Sequence, residues 1–208
     1  MQGRRNPFVA REGIPFLIAT IVAGWLAYRY LDLVWLGAAA AVFVILFLVF
    51  RDPRRVIPSS PLGVVSPADG RVESVERIDE GAIQGRAHRI VIRISSLGTY
   101  TARSPVEGKI MDLATQAGDQ HVDLPTNALW MRTDEGEDVV LKFGGYRFGL
   151  PPKSFVRYGE RLGQGARCAY LRLTRYAEIH LPIDSRVQVE PGQRLVAGLD
   201  MLAKLPHP

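Results

Sequence analysis

The strongest constraint on the fold is a pair of apolar segments near the N terminus, separated by only four residues. Residues 14–28 are apolar apart from Thr20, and residues 33–50 contain no charged side chain. A helix rises about 1.5 Å per residue, so about 20 residues cross the hydrocarbon core of a bilayer. Segments that are apolar on every face do not suit a soluble helical hairpin. The sequence therefore predicts a transmembrane helical hairpin over residues 14–50.

Arginines flank the outer ends of both apolar segments. By the positive-inside rule, both ends and the following domain are expected on the cytoplasmic side of the inner membrane. A cleaved signal peptide is disfavoured, because residues 38–41 continue directly into eight more apolar residues. Cationic side chains at the ends of transmembrane segments, near the membrane surface, attract anionic phospholipid. Six arginines are accordingly predicted to contact lipid: Arg4, Arg5, Arg11, Arg51, Arg54 and Arg55.

The overall composition excludes several classes of site. The chain has 26 basic and 21 acidic residues, and it carries no recognisable nucleic-acid-binding motif, so we expect no nucleic-acid partner. Its single cysteine, Cys168, excludes an internal disulfide. The four histidines have no ligand-pair spacing, which predicts that the protein holds no metal.

The remainder of the chain has the pattern of a mainly β domain. We expect a basic arm at residues 1–13, a proline-rich linker at 51–63 and a β domain at 64–208. Five segments have the composition of short strands: 89–94, 138–143, 169–173, 177–181 and 186–189. Turn signals separate them at short intervals, which is typical of a compact sandwich or barrel.

A short internal repeat predicts that this domain has pseudo-duplicated halves. Residues 66–72 read SPADGRV and residues 104–110 read SPVEGKI. Each consists of Ser-Pro, one variable residue, an acid, Gly, a base and an aliphatic residue. Proline and glycine around an acidic residue favour a turn, and the aliphatic residue begins a strand. The two copies therefore predict two equivalent turn-to-strand entries.

Several of these motifs resemble the phosphatidylserine decarboxylase family, in its short, membrane-anchored branch. They are FRDPRR followed by IP, then VSPADGRV, RSPVEGK, GERLGQGARCAYLR and PGQRLVAG. The resemblance implies a pyruvoyl enzyme that converts phosphatidylserine to phosphatidylethanolamine. It also implies that a serine following a glycine attacks the preceding carbonyl, so that the chain is cut and a pyruvoyl group is formed.

At the positions where the family carries its catalytic residues, this chain departs from the pattern. The glycine and serine of the cleavage site fall on Thr174 and Arg175, and the Asp-Val-His element falls on Gly98, Thr99 and Tyr100. A guanidinium has no acceptor and stays protonated, so Arg175 cannot be the nucleophile. Asp69 survives, with a turn-forming role as the favoured interpretation. An Asn-Glu-Arg element falls more loosely on Asn127, Ala128 and Leu129.

From these departures the sequence predicts a non-catalytic, decarboxylase-like membrane protein without a cofactor. It would serve as an accessory or scaffold subunit of a larger membrane assembly, such as a photosynthetic or respiratory complex, or as a binder of anionic lipid head groups. The alternative is an active phosphatidylserine decarboxylase with a rearranged active site, and only that alternative calls for a pyruvoyl group. Thr174 could then replace the serine one position early, leaving a ketobutyryl group.

Overall fold

The computed structural model describes residues 8–58, 60–82, 85–113, 127–146 and 150–206. It divides into two compact units, Met1–Arg54 and Arg55–Pro208. The boundary falls inside the predicted proline-rich linker, so most of that segment belongs to the second unit.

The first unit is a helical hairpin, as the sequence predicts. A 3-10 helix over Arg11–Gly13 leads into α1, Ile14–Tyr30, which has a proline in its first turn, and α2 spans Leu33–Phe50. By length and composition, the 3-10 helix together with α1 (Arg11–Tyr30) and α2 (Leu33–Phe50) could each cross a membrane. Their helix–helix contact includes Gly24, where an added Cβ would lie 3.6 Å from the Ala39 side chain. Such small residues allow two helices to approach closely.

The outer ends of this hairpin are joined by backbone hydrogen bonds. Val9 and Arg51 form an isolated antiparallel bridge, and the Ala10 amide donates to the Phe50 carbonyl at 2.9 Å. The opposite end carries exposed aromatic residues around the turn: Trp25, Tyr28, Tyr30 and Trp35. Aromatic side chains of this kind are enriched at membrane–water interfaces. The hairpin thus has one clamped arginine-rich end and one aromatic end.

The second unit consists of fourteen strands among the described residues. Their bounds are Gly63–Val65 (β1), Gly70–Ile78 (β2), Ala87–Ile94 (β3), Thr101–Arg103 (β4), Gly108–Leu113 (β5), Ala128–Arg132 (β6), Asp138–Gly144 (β7), Lys153–Ser154 (β8), Arg161–Leu162 (β9), Arg167–Tyr170 (β10), Tyr176–Pro182 (β11), Arg186–Val187 (β12), Arg194–Leu195 (β13) and Met201–Lys204 (β14). No helix is found in the described part of this unit. The mainly β fold is confirmed.

These strands form one large sheet and two small ones. The eight-stranded sheet has the order β13-β2-β3-β11-β7-β6-β5-β9, and the three-stranded sheets have the orders β1-β14-β12 and β4-β10-β8. The large sheet ends at β13 and β9, so the domain is a sandwich of open sheets, not a closed barrel. Within β3, Ile90 and Ile92 are fully buried in the core, and Val91 between them is buried as well.

The strand orders confirm the pseudo-duplicated halves. One half contains β1, β2, β3 and β11 to β14, and the other contains β4 to β10. Each strand of the first half has a counterpart in the second, taken in chain order, and the large sheet is symmetric about its central β11–β7 pair. The second half is an insertion between β3 and β11 of the first.

The sequence repeat occupies equivalent places in the two halves. The Ser66 hydroxyl donates to the Ala68 carbonyl at 2.8 Å, and the Ser104 hydroxyl donates to the Val106 carbonyl at 2.7 Å. Each serine thus closes a turn on the carbonyl two residues later, before β2 and β5 begin. The repeated Ser-Pro motif therefore specifies the same turn-to-strand entry twice.

Candidate functional site

The candidate site lies where the chain passes between the two halves. Residues 95–100 lead from β3 into the inserted half, and residues 171–175 lead back from it into β11. The two connections are hydrogen-bonded neighbours, since the Leu171 amide donates to the Tyr100 carbonyl at 2.9 Å and the Ile94 amide donates to the Arg175 carbonyl at 2.7 Å. An insertion must leave and re-enter at one place, and this brings the two segments together.

Asp69 is hydrogen-bonded to the first connection, residues 95–100, through both its backbone and its side chain. The Ser95 amide donates to the Asp69 carbonyl at 2.8 Å, and the Thr99 amide donates to its carboxylate at 2.9 Å. The structure therefore gathers the five positions that the sequence analysis singled out around the departures from the family pattern. They are Asp69, Gly98, Tyr100, Thr174 and Arg175.

The Asp69 carboxylate forms a bidentate ion pair with Arg55. The guanidinium nitrogens lie 2.6 and 2.8 Å from the two carboxylate oxygens, and both side chains are less than one-fifth exposed. The Ala197 amide also donates to this carboxylate at 2.8 Å, while the Ala197 carbonyl accepts from Arg55 at 2.7 Å. Asp69 thus joins three stretches of chain that are distant in sequence.

These contacts keep Asp69 ionised. Burial alone would raise the pKa of the carboxyl, but hydrogen bonds from Arg55, Ala197 and Thr99, together with the Arg55 charge, lower the pKa below its ordinary value. A carboxylate with four donors has little capacity to accept a further proton at neutral pH. Asp69 therefore positions the first connection and is more than a turn former.

Gly98 makes this close packing possible. A Cβ at Gly98 would lie 2.7 Å from the Asp69 Cβ and 3.2 Å from the Ser95 carbonyl oxygen. The position where the resemblance calls for an acid therefore has no room for any side chain. Tyr100, at the position of the histidine, packs its ring 5.8 Å from the ring of Tyr170.

The second connection contains an unusual turn. Arg172 and Leu173 both have positive φ, 47° and 66°, and the Thr174 amide donates to the Leu171 carbonyl at 2.9 Å. Residues with a Cβ adopt this left-handed conformation at a cost of about 1–2 kcal/mol each. The predicted strand over 169–173 is therefore too long, because β10 ends at Tyr170. Residues 171–175 contain no glycine or asparagine that would predict this turn from the sequence.

Thr174 and Arg175 do not fit formation of a serine-derived pyruvoyl group. Arg175 is exposed and has no hydroxyl. Thr174 is buried, and its hydroxyl already donates to the Leu171 carbonyl. These two residues therefore support no catalytic step through a serine-derived pyruvoyl group. Within residues 171–175, the side-chain hydroxyl belongs to Thr174.

Asn127 lies in a separate environment at the start of β6. Its φ is 63°, it is buried, and its side-chain amide donates to the Tyr146 hydroxyl at 2.9 Å. A small, mainly apolar cavity adjoins it, lined by Asn127, Ala128, Leu129, Phe143, Pro152, Ser154 and Ala169. The three residues of the loosely matched element thus line a cavity and do not present charged groups.

The six arginines that are predicted to contact lipid lie in different surroundings. Arg4 and Arg5 lie outside the described residues, whereas Arg11, Arg51 and Arg54 are exposed. Arg55 is bound to Asp69 inside the β domain, which the sequence did not reveal. Nothing in the run FRDPRR distinguishes the internal arginine from its neighbour, although a buried aspartate requires a cationic partner.

Other reactive groups give no further site in the described regions. No cluster of three potential metal ligands occurs in the part of the chain that the structure describes. Cys168 is fully buried, and burial raises the pKa of its thiol to about 12. This thiol is therefore unreactive at neutral pH.

Taken together, the fold and the site define a β-sandwich protein with an N-terminal apolar hairpin and a site at the junction of two pseudo-equivalent halves. The family model described as phosphatidylserine decarboxylase matches residues 42–203. The chain therefore belongs to the phosphatidylserine decarboxylase family.

Curated relatives match along nearly the whole chain. The phosphatidylserine decarboxylase proenzymes of Nitrosomonas eutropha and Nitrosomonas europaea are 30% and 32% identical to it, covering 96% of each chain. That of Symbiobacterium thermophilum is 35% identical and covers both chains completely. A solved structure, glucose permease IIA from Mycoplasma capricolum, covers 68% of this chain and 94% of its own at 17% identity, with a TM-score of 0.47. That likeness is too distant to inform fold or function.

The relatives correct one conclusion of the sequence analysis. The prediction of a non-catalytic protein, whether an accessory or scaffold subunit or a binder of anionic lipid head groups, is wrong, because relatives at 30–35% identity over nearly the full length are named as decarboxylase proenzymes. The departures from the family pattern at Thr174 and Arg175 do not outweigh the similarity along the whole chain. The alternative, an active decarboxylase with a rearranged site, agrees better with these relatives.

Proposed function

We propose that the protein is a phosphatidylserine decarboxylase that acts on its substrate at a membrane. The observation that carries this proposal is the match to three decarboxylase proenzymes over 96–100% of the chain. Supporting it, residues 95–100 and 171–175 converge with Asp69 at one junction. A substrate head group would meet both connections at this junction.

The chain's own residues suggest how the head group is held. Arg175 is exposed beside the strained turn, and it forms no ion pair with any residue in the described ranges. A guanidinium pairs well with a carboxylate or a phosphate, and phosphatidylserine has both. Asp69 is already saturated by Arg55, Thr99 and Ala197. Its role in this proposal is to hold residues 95–100 in place, while Arg175 binds the substrate.

The direct test uses the full-length chain reconstituted in vesicles of phosphatidylcholine and phosphatidylserine. Mass spectrometry of the lipids measures phosphatidylethanolamine over time. We expect phosphatidylethanolamine to accumulate, Arg175→Gln to raise the apparent KM, and Glu107→Gln, at the equivalent turn of the other half, to leave the rate unchanged. If the wild-type chain produces no phosphatidylethanolamine, the proposal is refuted.

The intact mass of the same preparation addresses the self-processing step. Cleavage before Thr174 would give two fragments, and Thr174→Val would then leave a single chain. A single uncut wild-type chain that still produces phosphatidylethanolamine would mean that the electron sink has a source other than Thr174. In either case the lipid assay decides the activity independently.

The finer localisation is also a proposal. The hairpin would anchor the enzyme in the inner membrane with its β domain on the cytoplasmic side, since arginines lie at both outer ends. Anionic phospholipid would be the natural contact for exposed Arg11, Arg51 and Arg54. A cysteine introduced at Leu31 in the turn should react with an impermeant maleimide from the periplasmic side. Labelling only from the cytoplasmic side would contradict this orientation.

A further inference from the structure

Three arginines lie directly opposite one another on adjacent strands of the first half. In the register of the large sheet, Arg194 on β13 faces Arg71 on β2, and Arg71 faces Arg93 on β3. All three side chains are exposed. Among the described residues, none of the three forms an ion pair. We call Arg71, Arg93 and Arg194 the arginine row.

The second half contains an equivalent row, which provides an internal comparison. Arg161 on β9 faces Lys109 on β5, and Lys109 faces Arg132 on β6. Acidic residues neutralise this row at both ends. Asp138 lies 2.8 Å from Arg132, and Arg161 contacts Glu107 at 3.2 Å and also Asp134.

Two of these acidic partners have counterparts in the first half that do not pair with the arginine row. The counterpart of Asp138 is Tyr176, which faces Arg93 in the sheet register. The counterpart of Glu107 is Asp69, whose carboxylate is turned towards Arg55. The pseudo-duplication thus gives each half a cationic row. Acidic side chains neutralise the row of the second half, whereas the arginine row of the first half forms no ion pair among the described residues.

A row of like charges on neighbouring strands has an energetic consequence. Strands lie about 4.8 Å apart, and like charges that face each other directly across strands are destabilising. Such a row is stabilised when an external anion lies over it. Guanidinium groups prefer carboxylates and phosphates, and three in a line match several phosphates better than one.

We propose that the arginine row binds the phosphate groups of an anionic membrane surface. A membrane is favoured over other polyanions because Arg54, the last residue of the apolar hairpin unit, is followed directly by Arg55, whose side chain is fixed in the β domain. The β domain is therefore joined covalently, without an intervening residue, to the unit that would enter the bilayer. This inference concerns docking of the domain and does not depend on decarboxylation.

The test uses the full-length chain in lipid nanodiscs with a fluorophore at Ser96→Cys, an exposed position three residues beyond Arg93. Buried Cys168 does not compete for the label. Quenching by a head-group nitroxide reports contact between the domain and the lipid. Discs of phosphatidylcholine alone are compared with discs that also contain phosphatidylglycerol, at low and high salt.

The decisive comparison is between two triple variants with the same change in net charge. R71Q/R93Q/R194Q removes the arginine row, and K109Q/R132Q/R161Q removes its neutralised counterpart. Each arginine near an anionic surface is expected to contribute about fivefold, so the first variant should reduce the docked-to-undocked ratio on the order of a hundredfold. The second variant should retain the quenching that depends on phosphatidylglycerol.

Three results would overturn the proposal. One is unchanged quenching in R71Q/R93Q/R194Q, or an equal loss in the control variant. Another is saturable competition by inorganic phosphate, which would indicate a site for one phosphate and not a membrane surface. The third is tighter binding of an oligonucleotide than of anionic discs through the same three arginines. Thermal unfolding of both variants checks that the sheet is intact.

Discussion

The ion pair between Arg55 and Asp69 makes a strong prediction about stability. Arg55→Met keeps most of the side-chain length but removes the charge, so the Asp69 carboxylate loses two hydrogen bonds in a site where it is only 17% exposed. Breaking a fully buried ion pair costs about 3–5 kcal/mol. Since Asp69 keeps the amide donors of Ala197 and Thr99, we expect a loss of about 2–3 kcal/mol.

For a domain of this size, that loss corresponds to a decrease in Tm of about 5–10 °C. The assay is thermal unfolding of the full chain in detergent, followed by the circular dichroism of the β sheets. Arg161→Met is the matched control, because Arg161 pairs with Glu107, the repeat counterpart of Asp69, at a surface position. Exposed ion pairs contribute little, so its Tm should remain close to that of the wild type.

A double variant separates the ion pair from general packing. If the pair is the cause, Arg55→Met combined with Asp69→Ala should be less destabilised than the sum of the single variants, because the second change removes the carboxylate left without its counter-ion. Equal Tm values for Arg55→Met and Arg161→Met would refute the reasoning. Strict additivity in the double variant would also refute it.

Three further predictions concern the same junction. The pKa of Asp69 is lowered in the folded state. The ionised Asp69 carboxylate therefore stabilises the fold above the pKa of an unfolded aspartate, and this stabilisation is lost as the pH falls through the pKa of Asp69 in the folded protein. Asp69→Asn should flatten the decrease in Tm that the wild type shows at acidic pH. Gly98→Ala should lose about 1–3 kcal/mol in denaturant titration, while Gly144→Ala, where an added Cβ meets nothing within 4 Å, should change little. Leu173→Gly should be more stable than Leu173→Ala by about 1 kcal/mol, since φ is 66° at this position; the opposite order in urea unfolding would contradict the left-handed turn.

Much of the fold follows from local patterns in the sequence. The apolar segments predict the hairpin, and the composition of residues 89–94 predicts the strand that the structure shows as β3. The pairing of Arg55 with Asp69 is not predictable in this way, because it depends on where the chain goes after the linker. The turn at residues 171–174 escapes prediction for another reason. Hydrogen bonds from Leu171 to Tyr100 and from Arg175 to Gly144 fix its two ends, and Arg172 and Leu173 between them have a positive φ that their side chains disfavour.

The repeat predicts two halves, but it does not reveal that one is inserted in the other. That topology explains why the candidate site is built at the turn of the outer half. In the inserted half, β6 and β7 are joined by a short turn, closed by the Thr133 amide donating to the Glu137 carbonyl at 2.9 Å. In the outer half, the corresponding strands β3 and β11 are separated by the whole insertion. Two connecting segments therefore meet where the other half has one turn. Asp69 is bound at that meeting point, whereas its counterpart Glu107 remains at the surface. The asymmetry of the insertion is thus enough to make one of two equivalent turns part of the candidate site.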